Sequence, residues 1–495
     1  MVKTRVALFI LLLIPIQAIA ADIDDKAIDS AVEKARKSFD CPGIAVVIVK
    51  DDRVIHLKGY GVRELGGKDE VTPDSTFAIA SCSKAFCALL VAMLGDEGKI
   101  AWDDPVRKHI AFFRLNDPLA DQNVTIRDLL CHRTGLSRHD MLRYRSPWSH
   151  EEIIRRMADL KPTTSFRSTW EYNNLCFMTA GYAAASADKT LYADLLKKRI
   201  FVPLGMKTAS GSAREVEKAN DRAVPHLKET EGVSAIPRYM QEVDGAGGIN
   251  ASARDLGNWI RFQLGDGTWE GKRLVSAKYL REMHTPQMVE RSATLPNDVT
   301  TQRSYGLGWA VQDYRGQPMV EHGGAIDGFR SRVVLFPKAK FGMAVLCNLG
   351  GTSCPIALSN TIADLLLGSP QRDWIGPGRK TDAKNLQARK TALAKLEMEC
   401  KKATKPSHAL EAFAGTYHAP AYGEANVAVE NGKLGVRFSS YTLKLDHYHL
   451  NSFRIADIPL QLRPLWEKEV ITFRVNAKGD ISGMQFVGQE FLQKP

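Results

Sequence analysis

A serine and a lysine three positions apart stand where the chain changes from polar to apolar. In "AIASCSKAFCALLVAML", residues 78 to 94, Ser81 is followed by Lys84. Residues i and i+3 of a helix share a face, so the lysine amine can reach the serine Oγ. A seryl hydroxyl is a weak nucleophile that needs a base, and burial lowers the pKa of a lysine until its neutral amine accepts a proton. The pair indicates acyl-transfer chemistry, and the competing interpretation is the start of a buried helix.

The Ser-x-x-Lys spacing alone carries little information, because about two chance occurrences are expected in a chain of this length. A second copy does occur, at Ser186-Ala187-Asp188-Lys189. Only the first copy has further chemistry downstream of it. The sole Tyr-x-Asn of the sequence, Tyr172-Asn173-Asn174, lies 91 residues after Ser81, and His322-Gly323-Gly324 lies 150 residues after Tyr172 on a predicted strand. A phenol to carry a proton and a carboxamide to hold a substrate are what a serine nucleophile requires.

The three ordered motifs resemble those of the serine β-lactamase and penicillin-binding family. The resemblance is greatest to its class C and D-alanyl-D-alanine carboxypeptidase branch, which is peptidase S12-like. Three framework segments are similar as well, namely "LLCHRTGL" at 129 to 136, "GAGGINASARDL" at 245 to 256 and "YGLGWAV" at 305 to 311. The resemblance as a whole covers roughly residues 28 to 365.

The resemblance implies roles for individual residues. The catalytic residues are expected to be Ser81, Lys84 and Tyr172, and the substrate-binding residues Asn174, His322, Gly323, Gly324 and Ala325. Ser81 attacks an acyl carbonyl, while Lys84 and Tyr172 share the proton transfers. Asn174 holds the amide of the substrate, and the backbones of Ser81 and Ala325 supply the oxyanion donors. Taken singly, Tyr172 also suits a core aromatic residue, Asn174 a helix cap, and the glycines a bend.

The third motif departs from that of true β-lactamases, because it begins with His322 where they have lysine. In this family a histidine there accompanies carboxypeptidases, D-amino-acid peptidases and some esterases. No acidic residue is assigned to deacylation. We therefore expect a serine hydrolase that forms an acyl-enzyme on Ser81 and cleaves D-amino-acid-containing peptides or peptidoglycan fragments. An esterase or a β-lactamase is the alternative within the same chemistry, and a catalytically silent ligand-binding or wall-binding module is the alternative of another class.

The predicted elements place these motifs in an α+β fold. Residues 43 to 65 show two β-branched runs around Asp51-Asp52, which is typical of a hairpin. The apolar periodicity after Ser81 predicts a buried helix from Lys84 to about Glu97, and Ser252 with Asp255 fits a capping box. Short β-rich runs return late in the chain. We expect an antiparallel sheet flanked by helices, with an all-helical region in the middle.

The last part of the chain is predicted to be a separate domain. A Lys- and Ala-rich stretch at 373–406 is expected to be a helical linker. After it, hairpin signals at Asn431-Gly432 and around Gly479 predict short antiparallel strands. The pattern resembles the lipocalin-like barrel appended to some members of the family. The expected organisation is a signal peptide (1–20), a β-lactamase-like domain (21–372), the linker, and a small barrel (407–495). The barrel is a packing or oligomerisation module, or else it binds a lipid-like ligand.

The N-terminus predicts export. "MVKTRVALFILLLIPIQAIAAD" has a basic start, a short apolar run and the small-x-small sequence Ala18-Ile19-Ala20 of a signal-peptidase site. An uncleaved anchor is the alternative. We expect a periplasmic or extracellular protein without a membrane-spanning segment in the mature chain.

Composition narrows the partners and cofactors. The net charge of +11 favours anionic surroundings, but the basic residues are dispersed, so nucleic acid is not an expected partner. Eight cysteines in an exported chain permit disulfides, whose pattern the sequence does not decide. Several of them stand in apolar runs, which are typical of buried free thiols. No Cys or His spacing predicts zinc, and the pair His447 and His449 suits an exposed strand better than a metal site. We expect no cofactor, and a peptide or other small-molecule substrate.

Overall fold

The computed structural model describes residues 24–229, 232–240, 242–292, 295 and 297–494, so the expected signal peptide lies outside it. Helices fill the middle of the chain and flank the sheet. They are α1 (Asp25–Ser38), α2 (Ser83–Asp96), α3 (Val106–His109), α4 (Pro118–Asn123), α5 (Ile126–Leu130), α6 (His150–Arg156), α7 (Asn174–Asp188), α8 (Tyr192–Leu196), α9 (Ala213–Glu217), α10 (Ala253–Leu264), α11 (Ala277–Met283), α12 (Cys354–Leu366), α13 (Ile375–Glu399) and α14 (Arg463–Trp466).

An antiparallel sheet of eight strands forms the centre, in the order β2-β1-β14-β13-β12-β11-β10-β9. The strands before the barrel are β1 (Gly43–Lys50), β2 (Arg53–Gly61), β3 (Phe77–Ala78), β4 (His226–Glu229), β5 (Gly232–Ala235), β6 (Asn250–Ala251), β7 (Thr268–Trp269), β8 (Lys272–Arg273), β9 (Met288–Val289), β10 (Arg303–Tyr305), β11 (Ala310–Tyr314), β12 (Gln317–Ile326), β13 (Phe329–Phe336), β14 (Phe341–Cys347) and β15 (Leu349–Gly350). The expected α+β class is confirmed.

Both faces of this sheet are buried, which explains why its strands are apolar at successive positions. Alternate residues of β1 point to opposite sides. Val47 joins the apolar cluster that contains α2 and α10, whereas Val46 joins the cluster that contains α1 and α12. Helix α10 begins with the predicted capping box of Ser252 and Asp255.

The predicted hairpin between β1 and β2 is confirmed. Lys50 pairs with Arg53, and the two turn residues Asp51 and Asp52 have φ of 48° and 61°. Aspartate tolerates this left-handed conformation better than most residues do, because its short side chain bonds to the local backbone. Strand β1 pairs on its other side with β14, which lies almost 300 residues later in the chain.

The C-terminal unit is a closed barrel of eight antiparallel strands. Its strands are β16 (Gly415–Ala419), β17 (Gly423–Glu430), β18 (Lys433–Phe438), β19 (Tyr441–His449), β20 (Ser452–Ala456), β21 (Val470–Val475), β22 (Ile481–Phe486) and β23 (Gln489–Gln493). The predicted hairpin at Asn431-Gly432 joins β17 to β18, and the one around Gly479 joins β21 to β22. Helix α13 precedes the barrel.

Aromatic side chains fill the inside of the barrel. They are Phe413, Tyr417, Phe438, Phe453, Phe473, Phe486 and Phe491, all buried. Their rings meet edge to face, as in Phe413 and Phe473 with centroids 5.0 Å apart. This packed core argues against the barrel as a container for a lipid-like ligand.

The cysteines and the histidine pair outside the three motifs were considered above as possible disulfide or metal-binding residues. All eight cysteines are free thiols, and all but Cys400 are buried. His447 donates from Nε2 to the carbonyl of Leu450 at 2.9 Å. Across the described residues, no cluster of three or more His, Cys, Asp or Glu side chains is placed to hold a metal ion. Among the same residues, no helix combines the length and hydropathy that crossing a bilayer requires.

Candidate active site

Ser81 stands in a single 3-10 turn, Ala80–Cys82, at the entrance to α2. The sequence predicted a helix start here, but the chain tightens before the regular helix begins at Ser83. Ala80 has φ of 48°, a conformation that strains a non-glycine residue by about 1–3 kcal/mol. The turn is held from the sheet side, because Ser331 Oγ donates to the carbonyl of Ile79 at 2.8 Å. The half-buried Ser81 side chain is thereby fixed at one place in the wall of a cleft.

Lys84 is fully buried, with its Nζ surrounded by three oxygens. They are Ser81 Oγ at 3.3 Å, Asn174 Oδ1 at 2.7 Å and the Ala246 carbonyl at 2.9 Å. Burial lowers the pKa of Lys84 to about 7, and the positive charge of Arg143 lowers it further, against the raising effect of nearby carboxylates. The amide and carbonyl oxygens only accept hydrogen bonds. A neutral amine donates its two hydrogens to them and turns its lone pair towards the Ser81 hydroxyl.

Tyr172 completes the contacts of the nucleophile. Its hydroxyl donates to Ser81 Oγ at 2.8 Å. Burial raises the pKa of Tyr172 to about 12, so the phenol keeps its proton near neutral pH. Lys84 is therefore the better base of the two, and Tyr172 the better proton donor. The guanidinium of Arg138 lies over the Tyr172 ring, 4.9 Å from its centroid.

Asn174 is the first residue of α7 and is already engaged on both sides of its amide. Its Oδ1 accepts from Lys84, and its Nδ2 donates to Asp140 Oδ1 at 2.8 Å. The expected contact with the amide of a substrate would use the remaining Nδ2 hydrogen. The structure shows a second duty that the sequence did not predict, which is to hold the amine of Lys84 in place.

The third motif lies on β12, against the nucleophile turn. A side chain at Gly324 would meet the Ile79 carbonyl and Ser331 Oγ, each 2.2 Å from the position of its Cβ, so only glycine lets the strand approach this closely. Ala325 is exposed and lines the same cavity as Ser81, and Gly323 is exposed next to it. This arrangement agrees with the expected pairing of Ser81 and Ala325 as oxyanion donors, which stays a prediction.

His322 lies behind the cavity and not in its lining. Its Nδ1 donates to the carbonyl of Gly323 at 2.7 Å, and its Nε2 accepts from the Tyr305 hydroxyl at 2.9 Å. Burial lowers the pKa of His322 to about 4, with the charge of Lys84 adding to the effect, so the ring is neutral. Both ring nitrogens have partners. The geometry favours a supporting role for His322 over the direct substrate contact that the resemblance implied.

A buried ion pair that the sequence did not reveal positions the lysine. Arg143 Nη2 donates to Asp244 Oδ1 at 2.8 Å, and the backbone N–H groups of Ala246 and Gly247 donate to the same carboxylate oxygen at 2.8 and 3.1 Å. Burial alone would raise the pKa of Asp244, but Arg143 holds it below its ordinary value. The carboxylate thus fixes the loop whose Ala246 carbonyl binds Lys84. No spacing signal connects these residues, because the contact between Arg143 and Asp244 spans 101 positions.

The nucleophile opens into a cavity of about 330 Å³. Ser81, Asn174 and Ala325 line it, and the C-terminal unit contributes Gln461, Pro464 and Leu465 to the same lining. We call this barrel segment, residues 461–465, the lip. The chain just beyond the lip is tied to the other domain, since Arg389 donates to Glu467 Oε2 at 2.6 Å and to Glu229 Oε1 at 2.9 Å. The second Ser-x-x-Lys copy, at Ser186 and Lys189, lines a different pocket.

Comparisons with known proteins agree with this geometry. Residues 28–365 match the model of the Beta-lactamase family, and residues 399–494 match a Domain of unknown function (DUF3471). The chain is similar to the "Unguisins hydrolase ungD'" of Aspergillus campestris, at 29% identity over 66% of this chain and 61% of that protein. It is also similar to "Protein flp" of Staphylococcus aureus, at 26% identity over 66% of this chain and 64% of that protein. The chain thus spans less than two thirds of the length of either relative.

Two solved structures share the fold over nearly the whole chain. An octameric penicillin-binding protein homologue from Pyrococcus abyssi superposes with a TM-score of 0.60 at 21% identity, over 95% of this chain and 100% of that one. SurE superposes with a TM-score of 0.57 at 18% identity, over 95% and 99%. The barrel is included in both coverages. With a family model matched over residues 28–365 of the chain, and with Lys84 and Tyr172 both hydrogen-bonded to Ser81, the chain belongs to the Beta-lactamase family.

Proposed function

We propose that this protein is an exported serine hydrolase that forms an acyl-enzyme on Ser81 and cleaves peptides containing D-amino acids, such as peptidoglycan fragments. The observation that carries the proposal is the environment of Lys84. The Lys84 amine is fully buried, its pKa is lowered to about 7, and the oxygens of Asn174 and Ala246 accept its hydrogens. Its lone pair is therefore available as a base for the Ser81 hydroxyl. A purely structural lysine is seldom buried in this way without a carboxylate partner.

The first half of the reaction follows from these contacts. The Ser81 hydroxyl gives its proton to the neutral amine of Lys84 as Oγ bonds to the substrate carbonyl carbon. The carbonyl electron pair moves to its oxygen, which the backbone N–H groups of Ser81 and Ala325 stabilise. Collapse of the tetrahedral intermediate breaks the bond to the leaving group. That group takes the proton from the Lys84 ammonium through the Tyr172 hydroxyl, which leaves the acyl-enzyme.

Deacylation reuses the same groups in reverse. Once Lys84 is neutral again, it and Tyr172 form the only base and phenol in hydrogen-bonding contact with Ser81 Oγ among the described residues. A water in the vacated leaving-group position therefore gives its proton to this pair as it attacks the ester. Expulsion of Ser81 Oγ returns the proton to the serine. This proposal needs no additional acidic residue.

Four observations support a D-amino-acid peptide as the substrate. The third motif begins with His322, as it does in the peptidase branch that the sequence resembles. One relative is named as a hydrolase of unguisins, and one structural neighbour as a penicillin-binding protein homologue. The positive charge of the chain suits an anionic envelope. An esterase is the second candidate, since the same acyl-enzyme accepts any acyl group that fits the cavity.

A substrate panel with a nucleophile variant tests the proposal. Purified wild type and Ser81→Ala are assayed on a D-alanyl-D-alanine peptide, a D-aminoacyl amide, a small aryl ester and a cephalosporin. We expect turnover of at least one D-amino-acid substrate and its loss in Ser81→Ala. Turnover of esters alone would favour the esterase, and cephalosporin alone the β-lactamase. A lack of turnover on every substrate, with no covalent labelling of Ser81, would favour the silent module.

Export needs a separate test, because the N-terminal residues lie outside the described structure. We propose cleavage after Ala20, which gives a mature protein beginning at Ala21. N-terminal sequencing of protein recovered from the periplasm or medium decides this. An intact Met1 on membrane-bound protein would instead indicate a retained anchor.

A further inference from the structure

We infer that His132 is a positioning residue for Tyr172: it fixes the chain on both sides of the tyrosine and thereby holds the phenol in hydrogen-bonding reach of Ser81. His132 belongs to the framework segment "LLCHRTGL" and to none of the three motifs. The inference rests on the proposed acyl-enzyme chemistry, in which Tyr172 passes a proton to the leaving group, but not on the identity of the substrate. It is carried by the hydrogen bonds of His132, the packing of its ring and its backbone conformation.

Tyr172 lies in an irregular segment just before α7, which begins at Asn174. Helix or strand hydrogen bonds therefore do not fix its backbone. Its hydroxyl must nevertheless stay close to Ser81 Oγ, 2.8 Å away, to serve as the proton donor. A misplacement of about 1 Å in such a group can cost about 100-fold in rate. Other contacts must therefore hold the segment in place.

His132 bonds to the residue on each side of Tyr172. The backbone N–H of Glu171 donates to the carbonyl of His132 at 2.8 Å, and the backbone N–H of Asn173 donates to the imidazole Nδ1 at 3.0 Å. The imidazole ring also packs on the phenol of Tyr172, with the two centroids 4.4 Å apart. One residue thus contacts the tyrosine ring and the backbone before and after it.

The hydrogen bond from Asn173 fixes the tautomer of His132. A backbone N–H can only donate, so Nδ1 carries the lone pair and the ring hydrogen is on Nε2. Burial lowers the pKa of His132 well below its ordinary value, and the charge of Lys84 lowers it further, so the ring stays neutral while Lys84 titrates near 7. Nε2 is buried without a hydrogen-bond partner among the described residues. His132 therefore lacks the contacts of a proton carrier, and its engaged ring nitrogen serves as an acceptor.

Aromatic side chains enclose the imidazole. Besides Tyr172, the rings of Phe177 and Tyr305 have centroids 4.9 and 4.8 Å from that of His132, and the ring of Trp170 lies edge-on at 5.9 Å. The His132 side chain is fully buried. A ring packed on several sides has few alternative rotamers, because the interior leaves no space for them. The acceptor at Nδ1 is therefore held at one position.

The backbone of His132 has a conformation that few residues adopt. Its φ is 60°, in the left-handed region. Histidine occupies this region more often than most side chains, but the conformation still costs free energy. Residues strained in this way persist where their surroundings hold them, and they are concentrated at active sites. Here the left-handed turn directs the carbonyl and the imidazole of one residue to the same segment, 171–173, which is what contact with both sides of Tyr172 requires.

Two phosphonates that differ only in their leaving group test this role. An alkyl fluorophosphonate releases fluoride, which needs no proton, whereas the matching phenyl phosphonate releases phenoxide, which takes a proton from Tyr172. In both reactions Ser81 Oγ bonds to phosphorus, the bond to the leaving group breaks and Lys84 receives the serine proton. With the phenyl phosphonate, that proton then replaces the one that Tyr172 has given up. Labelling rates are measured by mass spectrometry, and neither probe depends on which substrate the protein cleaves.

The main variant is His132→Phe, which keeps an aromatic ring but removes the acceptor for Asn173. We expect it to slow labelling by the phenyl phosphonate about 10- to 100-fold, and labelling by the fluorophosphonate less than about threefold. His132→Asn, whose Oδ1 can replace Nδ1, should be labelled by both probes at close to the wild-type rates. His132→Gln, whose acceptor is one bond further out, should behave as His132→Phe does, and it takes the place of that variant if the phenylalanine does not fold.

Two further variants separate positioning from a general structural role. His226→Phe is the matched control, because His226 is also a buried histidine that accepts a backbone N–H, that of Leu65 at 3.0 Å. It should not slow one probe more than the other. In the background of Tyr172→Phe, His132→Phe should add less than about twofold to the loss on the phenyl phosphonate, because the group it positions is already absent.

A selective loss on the phenyl phosphonate, recovered by His132→Asn and absent in the double variant, would support the inference. It would be overturned if His132→Phe or His132→Gln slowed both probes equally, if His132→Asn recovered nothing, or if the double variant lost much more than Tyr172→Phe alone. A wild type in which neither probe labels Ser81 would overturn the proposed function, and this inference with it.

Discussion

The Nζ of Lys84 lies 2.7 Å from Oδ1 of Asn174 and 2.9 Å from the carbonyl oxygen of Ala246. The two oxygens hold the amine without giving it a counter-charge. The Lys84 amine can therefore be uncharged at neutral pH while it is in contact with Ser81 Oγ. The rate of the reaction then depends on the fraction of Lys84 that is unprotonated.

A charge placed at Asn174 should therefore move the pH profile. Activity requires neutral Lys84, so the rate rises with pH through the pKa of the lysine, about 7 in the wild type. Asn174→Asp puts a carboxylate beside the ammonium and raises that pKa. We expect the rising limb of fluorophosphonate labelling against pH to move upward by at least about one unit. Asn174→Ala, which adds no charge, is the control and should move it less.

Removal of the Tyr172 hydroxyl should slow catalysis without shifting the rising limb of the pH–rate profile. Tyr172→Phe keeps the ring between Arg138 and Lys84 but deletes the proton donor to Ser81. We expect kcat to fall by about 10²- to 10⁴-fold. The apparent pKa near 7 should persist, since it belongs to Lys84. If the rising limb of the pH–rate profile disappeared in Tyr172→Phe, the general base would be Tyr172 and not Lys84.

The buried base should make the folded protein less stable at neutral pH than it is at high pH. The folded pKa of Lys84 is about 7, against 10.5 in the unfolded chain, so unfolding takes up a proton between these values. The free energy of unfolding should therefore rise as the pH rises from 7 to 10.5. Lys84→Met should stabilise the protein at pH 7 by up to about 4 kcal/mol, an advantage that fades above pH 10.5. Urea unfolding of both proteins at several pH values measures this.

The pair of Arg143 and Asp244 should show a pH dependence of the same sign, but in the acid range. The folded pKa of Asp244 is depressed, so its stabilisation is present above the ordinary carboxyl pKa and is lost as the pH falls through the folded pKa. Asp244→Asn removes the carboxylate that is paired with Arg143 and should cost about 3–5 kcal/mol at pH 7. Thermal unfolding followed by circular dichroism checks this. An unchanged Tm would mean that the pair contributes little.

The lip should discriminate between substrates by size. Leu465→Trp narrows the cavity from the barrel side and changes no residue in contact with Ser81 Oγ. We expect KM for peptides to rise severalfold, and labelling by a small fluorophosphonate to change less than about twofold. Leu492→Trp, at a well-exposed position on β23, is the matched control. Equal effects of the two substitutions would remove the lip from substrate binding.

The sequence predicted best those features that are formed by residues close to one another in the chain. The reach of Lys84 to Ser81, the turn at Asp51-Asp52 and the capping box of Ser252 each depend on residues within four positions. Tyr172 came from an ordered motif, since its contact with Ser81 spans 91 positions.

The residues that the sequence missed act over longer distances. Asp244 acts through the loop that it ties to Arg143, a contact that spans 101 positions. The lip belongs to another domain. Its place in the cavity wall depends on how the barrel docks, through contacts such as that of Arg389, which bridges Glu229 and Glu467. The 3-10 turn at Ser81 was also missed, because periodicity does not separate it from the helix that follows.

The most direct test of the account is the rate of fluorophosphonate labelling against pH, with the adduct mapped by mass spectrometry in the tryptic peptide of residues 69–84. That peptide contains Ser75, Ser81 and Ser83, so fragmentation must resolve them. The account predicts a single adduct on Ser81 whose rate of formation rises through a pKa near 7. An adduct on another serine, or a rate that follows an ordinary lysine pKa near 10.5, would contradict it.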